Sequence, residues 1–448
     1  MKPKSLLRIV ACFMSASLLV SEIRAQEAPA SLPKVAEVVA SPVAAKVEVA
    51  AKIETSACST ACCTPCFSAL GLNGGERVNV YGLVDQGFTY NSRLPHDKQN
   101  FGRLFDDRAN DYRFNQAVVG FERCVDHDAC RLDWGFKAEF MYGSDARFTH
   151  SLGFMDNVTR ADVQPEINEL YAVVHLPGLT RRGMDLKVGQ FIPEMGAERI
   201  FALDNPLYSH SYIFNGAILF HYTGAHLNVH VTPQFDVHAA VVTGVNTGTF
   251  DDNNNAPAWN FGFNWKSEKE RFRLAGAVHT GPENPSSNEF VFGIRRRARN
   301  IFALTATADV NDNLTAVTDF HLSQDHGFQV EAYGVAQYFV YKLNCRTSLV
   351  MRLEIFRDDD GFFIGQFAEN DDLIDLERGD FANLDPRTVS GGAATYTSLT
   401  LGVNQKIRNN LIIRPEVRWD WSAGGTAPFI DSTRNNQFTI GIDAIWKF

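Results

Sequence analysis

Past residue 25 the chain has no apolar run long enough to cross a bilayer as a helix, which excludes a helical membrane protein. It also lacks an excess of positive charge. Lys and Arg number 42 against 52 Asp and Glu, and a net charge of −10 leaves no basic surface to displace counterions from phosphates, so general nucleic-acid binding is excluded. There is no Gly-rich phosphate loop with its Lys, no His-Glu-x-x-His helix and no Gly-x-Ser-x-Gly elbow. No enzymatic chemistry and no cofactor follow from the residues. Residues 26–57 hold no aromatic side chain at all; their Ala, Val, Pro, Lys and Glu bury little and read as a periplasmic linker.

Ahead of that linker, Lys2, Lys4 and Arg8, the apolar stretch from Ile9 to Val20 and the small Ala25 read as an export signal, with a mature chain from about Gln26. Cys12 precedes most of the apolar core, the wrong order for a lipoprotein site. Export places the remaining cysteines in an oxidising compartment. Cys124 and Cys130 flank a short turn and are expected to form a disulfide, whereas Cys345 stands alone. Cys58, Cys62, Cys63 and Cys66 cluster before the first strand; disulfides, a metal and attachment to another molecule are all open for them. The expected organisation is a signal peptide over 1–25, a linker with this cluster over 26–76 and a barrel over 77–448.

What the chain does have is alternation. Phe438, Ile440, Ile442, Ala444, Trp446 and the terminal Phe448 share one face of a final strand, and Thr439, Gly441, Asp443 and Lys447 share the other. A strand apolar outward, polar inward and ended by Phe suits the closing strand of an outer-membrane barrel, through which the barrel-assembly machinery would act. The same period recurs in Leu132 to Tyr142, Ala225 to Val231, Trp259 to Lys266 and Leu411 to Trp421. Because each lipid-facing residue is followed by a polar one, the mean hydropathy of −0.16 is compatible with membrane residence. Extending the period predicts an all-β, antiparallel transmembrane barrel of about 16 strands. Even-to-odd connections are short, as at Thr232 to Gln234 and Arg408 to Asn410, while 92–112, 144–166, 193–222, 282–299, 359–395 and 422–435 are long. That segregation of turns and loops to opposite rims is what a barrel with both chain ends in the periplasm requires.

Over most of residues 77–448 the chain resembles the outer-membrane β-barrel porins of the OmpL-like family. The likeness lies in Gly82 to Asn91, Leu186 to Glu198, Asp204 to Tyr212, Arg352 to Asp358 and Arg414 to Asp420. The resemblance implies a pore and leaves its solute open.

Within the barrel, Arg352, Glu354, Arg414, Glu416 and Arg418 fall on inward positions of two late strands, where both signs together would set a transverse field on permeating solutes or pair for stability. The loop at 193–222 contains Ile200, Phe201, Leu207, Tyr208, Tyr212, Ile213 and Phe214, too apolar to stand in water. It is expected to fold inward and leave Glu194, Glu198, Arg199 and Asp204 facing the solute path, or else to pack on a neighbouring subunit. His226, His230, Asp236 and His238 converge near one hairpin; polar lumen residues are the simpler reading, and no metal ligand is assigned. Arg295, Arg296, Arg297 and Arg299 would meet lipid phosphates or solvent, and the acidic run from Asp358 to Glu377 shows no calcium-loop spacing. The functional expectation is a passive diffusion pore for small hydrophilic solutes or ions, embedded in outer-membrane lipid, a homotrimer by analogy with porins of this size. The alternative is a structural barrel whose loops or Cys-rich arm bind envelope components.

Overall fold

The computed structural model describes residues 78–448 apart from 127–130, 157–159, 249–250 and 287–296. The expected signal peptide, the linker with its four cysteines, Cys130, Arg295 and Arg296 lie outside the described residues. In chain order the strands are β1 (Val78–Asn91), β2 (Tyr112–Arg123), β3 (Asp133–Gly143), β4 (Gln164–Gly178), β5 (Thr180–Phe191), β6 (Tyr222–Thr232), β7 (Phe235–Val245), β8 (Ala258–Lys266) and β9 (Phe272–Pro282). They continue as β10 (Ala298–Asp309), β11 (Leu314–Asp325), β12 (Val330–Lys342), β13 (Thr347–Asp358), β14 (Gly365–Gln366), β15 (Val389–Ser390), β16 (Ala394–Arg408), β17 (Leu411–Gly424) and β18 (Asn436–Lys447). Strands β14 and β15 form a small ribbon in one loop; the other sixteen close into a single antiparallel barrel.

The alternation explains the closure. On β17, Arg414, Glu416, Arg418 and Asp420 are buried, while Pro415, Val417 and Trp419 between them are exposed. On β18, Phe438, Ile440, Ile442 and Trp446 are 41–47% exposed, and Gln437, Thr439 and Asp443 point inward and are buried. An outer surface this apolar, continuous around the barrel, has lipid as its solvent. Aromatic residues gather toward both rims: Trp134, Trp265 and Trp446 at one, Tyr142, Trp259 and Trp419 at the other. Such girdles sit at the two membrane interfaces.

The seam joins β1 to β18 in register from Leu83↔Lys447 to Asn91↔Thr439. Gly82 and Phe448 exchange backbone hydrogen bonds of 3.0 Å in both directions. The Phe448 ring lies over Gly82, where a Cβ would stand 2.5 Å from the ring, so the terminal aromatic needs a glycine opposite it. Both chain ends of the barrel lie at the rim with the short turns. At that rim Cys124 is disulfide-bonded, and Cys345 is a free, exposed thiol.

The candidate pore and its inward-folded loop

The connection between β5 and β6 folds into the barrel, and its apolar side chains provide the reason. Ile200, Phe201, Ala202 and Phe214 pack with Leu83, Val118, Met141, Ile412 and Ile445 of the inner wall, together with Leu104, Phe105 and Phe148 of two other loops. On the far side Tyr212, Ile213 and Ala217 pack with Val317, Ala332, Tyr338, Phe356 and Tyr396. Leu207 meets Val340 and Val350. The loop therefore crosses the lumen, with apolar contacts on both walls.

The inward charges of β13 and β17 hold its backbone. Arg352 Nη1 donates to Glu198 Oε1 at 2.8 Å and to the Ser209 carbonyl at 2.6 Å. Tyr212 N–H donates to Glu354 Oε2 at 2.6 Å, and Tyr208 N–H donates to Glu416 Oε2 at 2.9 Å. Arg414 Nη1 reaches the carbonyls of Ala202 and Asn205 at 2.7 and 2.6 Å, while Asp443 holds its Nε. Arg418 donates to the His210 carbonyl and lies 5.1 Å over the Tyr212 ring. Ser211 caps the short helix Tyr212–Ala217 and donates its hydroxyl to Glu198 at 2.8 Å. Burial alone would raise the Glu198 carboxyl; Arg352 and the Ser211 donors outweigh it and hold Glu198 below its ordinary range. Burial lowers His210 to about 4, so its ring is neutral at pH 7 where it stacks on Phe214.

The structure thus places Glu198, Arg352, Glu354, Arg414, Glu416 and Arg418 in one set of contacts with the loop and with one another, the pairing alternative for the five strand charges. All six are buried. The reason is that carbonyls and amides of an inward loop need partners, and the nearest ones available are these side chains. Glu194, Arg199 and Asp204 differ. Asp204 is exposed, while Glu194 and Arg199 are half-buried and border a cavity of about 170 Å³ against β8, β9 and β10. Glu194 also borders a second cavity of about 80 Å³, shared with Lys187, His226 and Asn264, and Asn264 donates to its carboxylate at 3.0 Å. Burial would raise the Glu194 carboxyl; the cationic forms of His238 and His226, Lys187 and the Asn264 amide oppose it and lower the carboxyl overall. A third cavity of about 190 Å³ lies on the long-loop side, between Phe220, Arg299, Ile301 and Glu377.

Several fastening residues carried no signal in the sequence reading. Arg103 in the first long loop reaches Asp106 and Asp420 at 2.6 Å each. Arg147 binds Asp107 through both terminal nitrogens, and Gln116 donates to the Ile200 carbonyl at 2.7 Å. Asp358, expected in an acidic loop patch, instead accepts the amides of Gly361, Phe362, Phe363 and Ile364, so it shapes the start of that loop. Arg299 pairs with Asp325 at 2.9 Å.

The family model described as beta-barrel porin-2, OmpL-like, matches residues 77–448. Among solved structures, the chain is similar to the outer membrane channel DcaP of Acinetobacter baumannii at 12% identity and a TM-score of 0.54, over 83% of this chain and 97% of that one. It is also similar to OprB of Pseudomonas putida, at 13% identity and a TM-score of 0.52 over 83% and 94%. The anion-selective porin from Comamonas acidovorans matches at 10% identity and a TM-score of 0.50 over 83% and 99%. No curated protein matches the chain. With the family matched across the whole barrel, this chain belongs to the beta-barrel porin-2, OmpL-like family and is a porin of the outer membrane, a channel for passive diffusion.

Proposed function

We propose that solutes cross this porin along the β2–β10 side, past Glu194, and that the β13–β17 wall fastens the loop without meeting solute. The observation that carries the reading is where the space lies. The two cavities beneath the inward loop border β2 to β10, whereas the charges of β13 and β17 end on loop backbone. Glu194 borders both cavities and would be the loop's anionic charge on the path, beside Glu122, Asp185 and Asp236 of the wall and with Lys187, Arg199 and Arg273 as the cations. In a narrow aqueous passage between low-dielectric walls such charges act at short range on ions and dipolar solutes. The chain would act without a catalytic step, as a homotrimer in outer-membrane lipid, inserted by the assembly machinery through β18 and Phe448.

The test is a charged thiol reagent applied during planar-bilayer recording. Thr307 on β10 borders the cavity under the loop, and Thr400 on β16 donates no path-facing group but accepts from Arg352. Current through Thr307→Cys should fall on labelling, and current through Thr400→Cys should not. The reverse pattern would move the path to the other wall, and a wild-type barrel that inserts without conducting would favour the structural alternative.

A further inference from the structure

We propose that the short-turn end of the lumen carries a transition-metal site formed by His175, Asp185 and His230. His175 on β4 lies opposite Asp185 on β5, and Asp185 lies opposite Asn228 on β6. His230, two residues further along the same face, is then the diagonal neighbour of Asp185, within reach of a long side chain. The three side chains are buried, and their ligand atoms lie within 4.8 Å of one another. Asp185 joins the two rings: Oδ1 is 2.7 Å from His175 Nδ1, and Oδ2 is 3.0 Å from His230 Nε2.

Two features separate this group from an incidental polar cluster. His230 has a carboxylate at each nitrogen, since its Nδ1 is 3.1 Å from Asp236 Oδ1. A neutral imidazole has one N–H and one lone pair. With the Nδ1 proton given to Asp236, Nε2 faces Asp185 either with a second proton or with a metal ion in the place of that proton. An imidazole braced by a carboxylate on its far nitrogen is the usual support of a metal-bound histidine. The backbone, in turn, is shaped to seat the other ring. Gly183 has φ +71°, and a Cβ there would stand 2.9 Å from His175 Cε1.

Zinc bonds to nitrogen and oxygen of about 2.0–2.2 Å give a tetrahedral edge of roughly 3.3 Å; with the three ligand atoms within 4.8 Å of one another, side-chain shifts of at most about 1.5 Å bring them onto one ion. Two imidazoles and a carboxylate suit Zn²⁺, Ni²⁺ or Cu²⁺ rather than Ca²⁺ or Mg²⁺. Asp185 and His230 both border the cavity of about 80 Å³, which leaves the remaining coordination position to water or a solute donor. His226 and His238, grouped with His230 by sequence, face each other at 5.1 Å, and among the described residues they belong to no such ligand group. Asp236 supports the site without joining it.

The experiment uses the full chain, purified in detergent, stripped with EDTA and titrated with Zn²⁺ against a chromophoric chelator, then with Co²⁺ followed by its visible absorption. Cys58, Cys62, Cys63 and Cys66 are themselves metal ligands by type, so the result is read as the difference between wild type and His230→Gln, and thiolate charge-transfer absorption marks any cysteine-bound Co²⁺. The expected difference is one Zn²⁺ per chain and a Co²⁺ spectrum without thiolate bands. Asp185→Asn should lose the same equivalent, Asp236→Asn should weaken it about 10–100-fold, and His226→Gln should leave it unchanged. Heat-modifiable mobility confirms folding, and His175→Gln replaces His230→Gln should that variant not fold. Equal metal uptake by wild type and folded ligand variants would overturn the site and leave a proton-shared network in its place.

Discussion

Arg352 and Arg418 on one wall and Lys187 and Arg273 on the other are cations directed into the same barrel, yet they end on different partners. The first pair meets loop carbonyls and buried carboxylates. Lys187 lies 4.7 Å over the Tyr171 ring and 5.3 Å over Phe191, and Arg273, half-buried near the rim, donates to the Glu270 carbonyl, pairs with Asp309 at 3.3 Å and borders a cavity. The difference lies in whether the loop backbone reaches the wall. Where it does, each guanidinium replaces the water that unpaired carbonyls would need. Where it does not, the side chains border open space. A charge on a lumen-facing strand position is therefore not yet a charge on the solute path.

The strongest way to break this contrast is to remove the loop. Deleting residues 199–212 should raise single-channel conductance in a barrel that still folds, because it opens the wall of β13 and β17 to water. Unchanged conductance in a correctly folded deletion would remove the loop from the pore.

The next contrast is between one cation from each wall. Arg352→Met strands Glu198 and the Ser209 carbonyl, and breaking a buried pair from one side costs about 3–5 kcal/mol. Lys187→Met gives up ring contacts worth about 0.5–1 kcal/mol. Denaturant unfolding of the two refolded variants should keep that order, and equal losses would erase the distinction between the walls.

Two loop carboxyls sharpen the comparison through pH. Glu198 is held below its unfolded value of 4.5, so its contribution is complete above that value and is lost as pH falls through the depressed one. The inward loop should stay fixed from neutral pH down to 4.5 and loosen in stronger acid. Glu377, in the helix Asp372–Arg378, is buried and raised to about 8, where it accepts from Asn246. The folded state favours its protonated form, so stability of the outer loop falls as pH rises from 4.5 toward 8. Protease cleavage within 359–393 should increase on the alkaline side and cleavage within 193–222 only on the acid side.

Much of the architecture was legible because a barrel writes its membrane on every second residue. The terminal run from Phe438 to Phe448, the inward Arg414, Glu416 and Arg418, and the long loop rich in Ile200, Phe201 and Tyr212 each carry their environment in local pattern. What the inward charges bind was not legible. Glu194 and Glu198 lie one helical turn apart in sequence and look alike, but the path of the loop sends one to Asn264 and the other to Arg352. The His175 and Asp185 pair was hidden for a related reason. It depends on register across a hairpin whose pairing shifts between Leu176 and Gly178, and a slip of one residue would turn either side chain to lipid.

The division between the walls is tested most directly by the reversal potential of single-residue variants in a planar bilayer under a salt gradient. Glu194→Gln removes an ionised carboxylate from the proposed path and should shift preference toward anions by about five-fold in permeability ratio, the equivalent of about 1 kcal/mol for one nearby charge in a watery passage. Glu198→Gln changes a buried cluster that borders neither cavity and leaves Arg352 with Glu354, so it should leave the reversal potential where it is, although the barrel is less stable. A shift in Glu198→Gln with none in Glu194→Gln would contradict the account and place the solute path along β13 and β17.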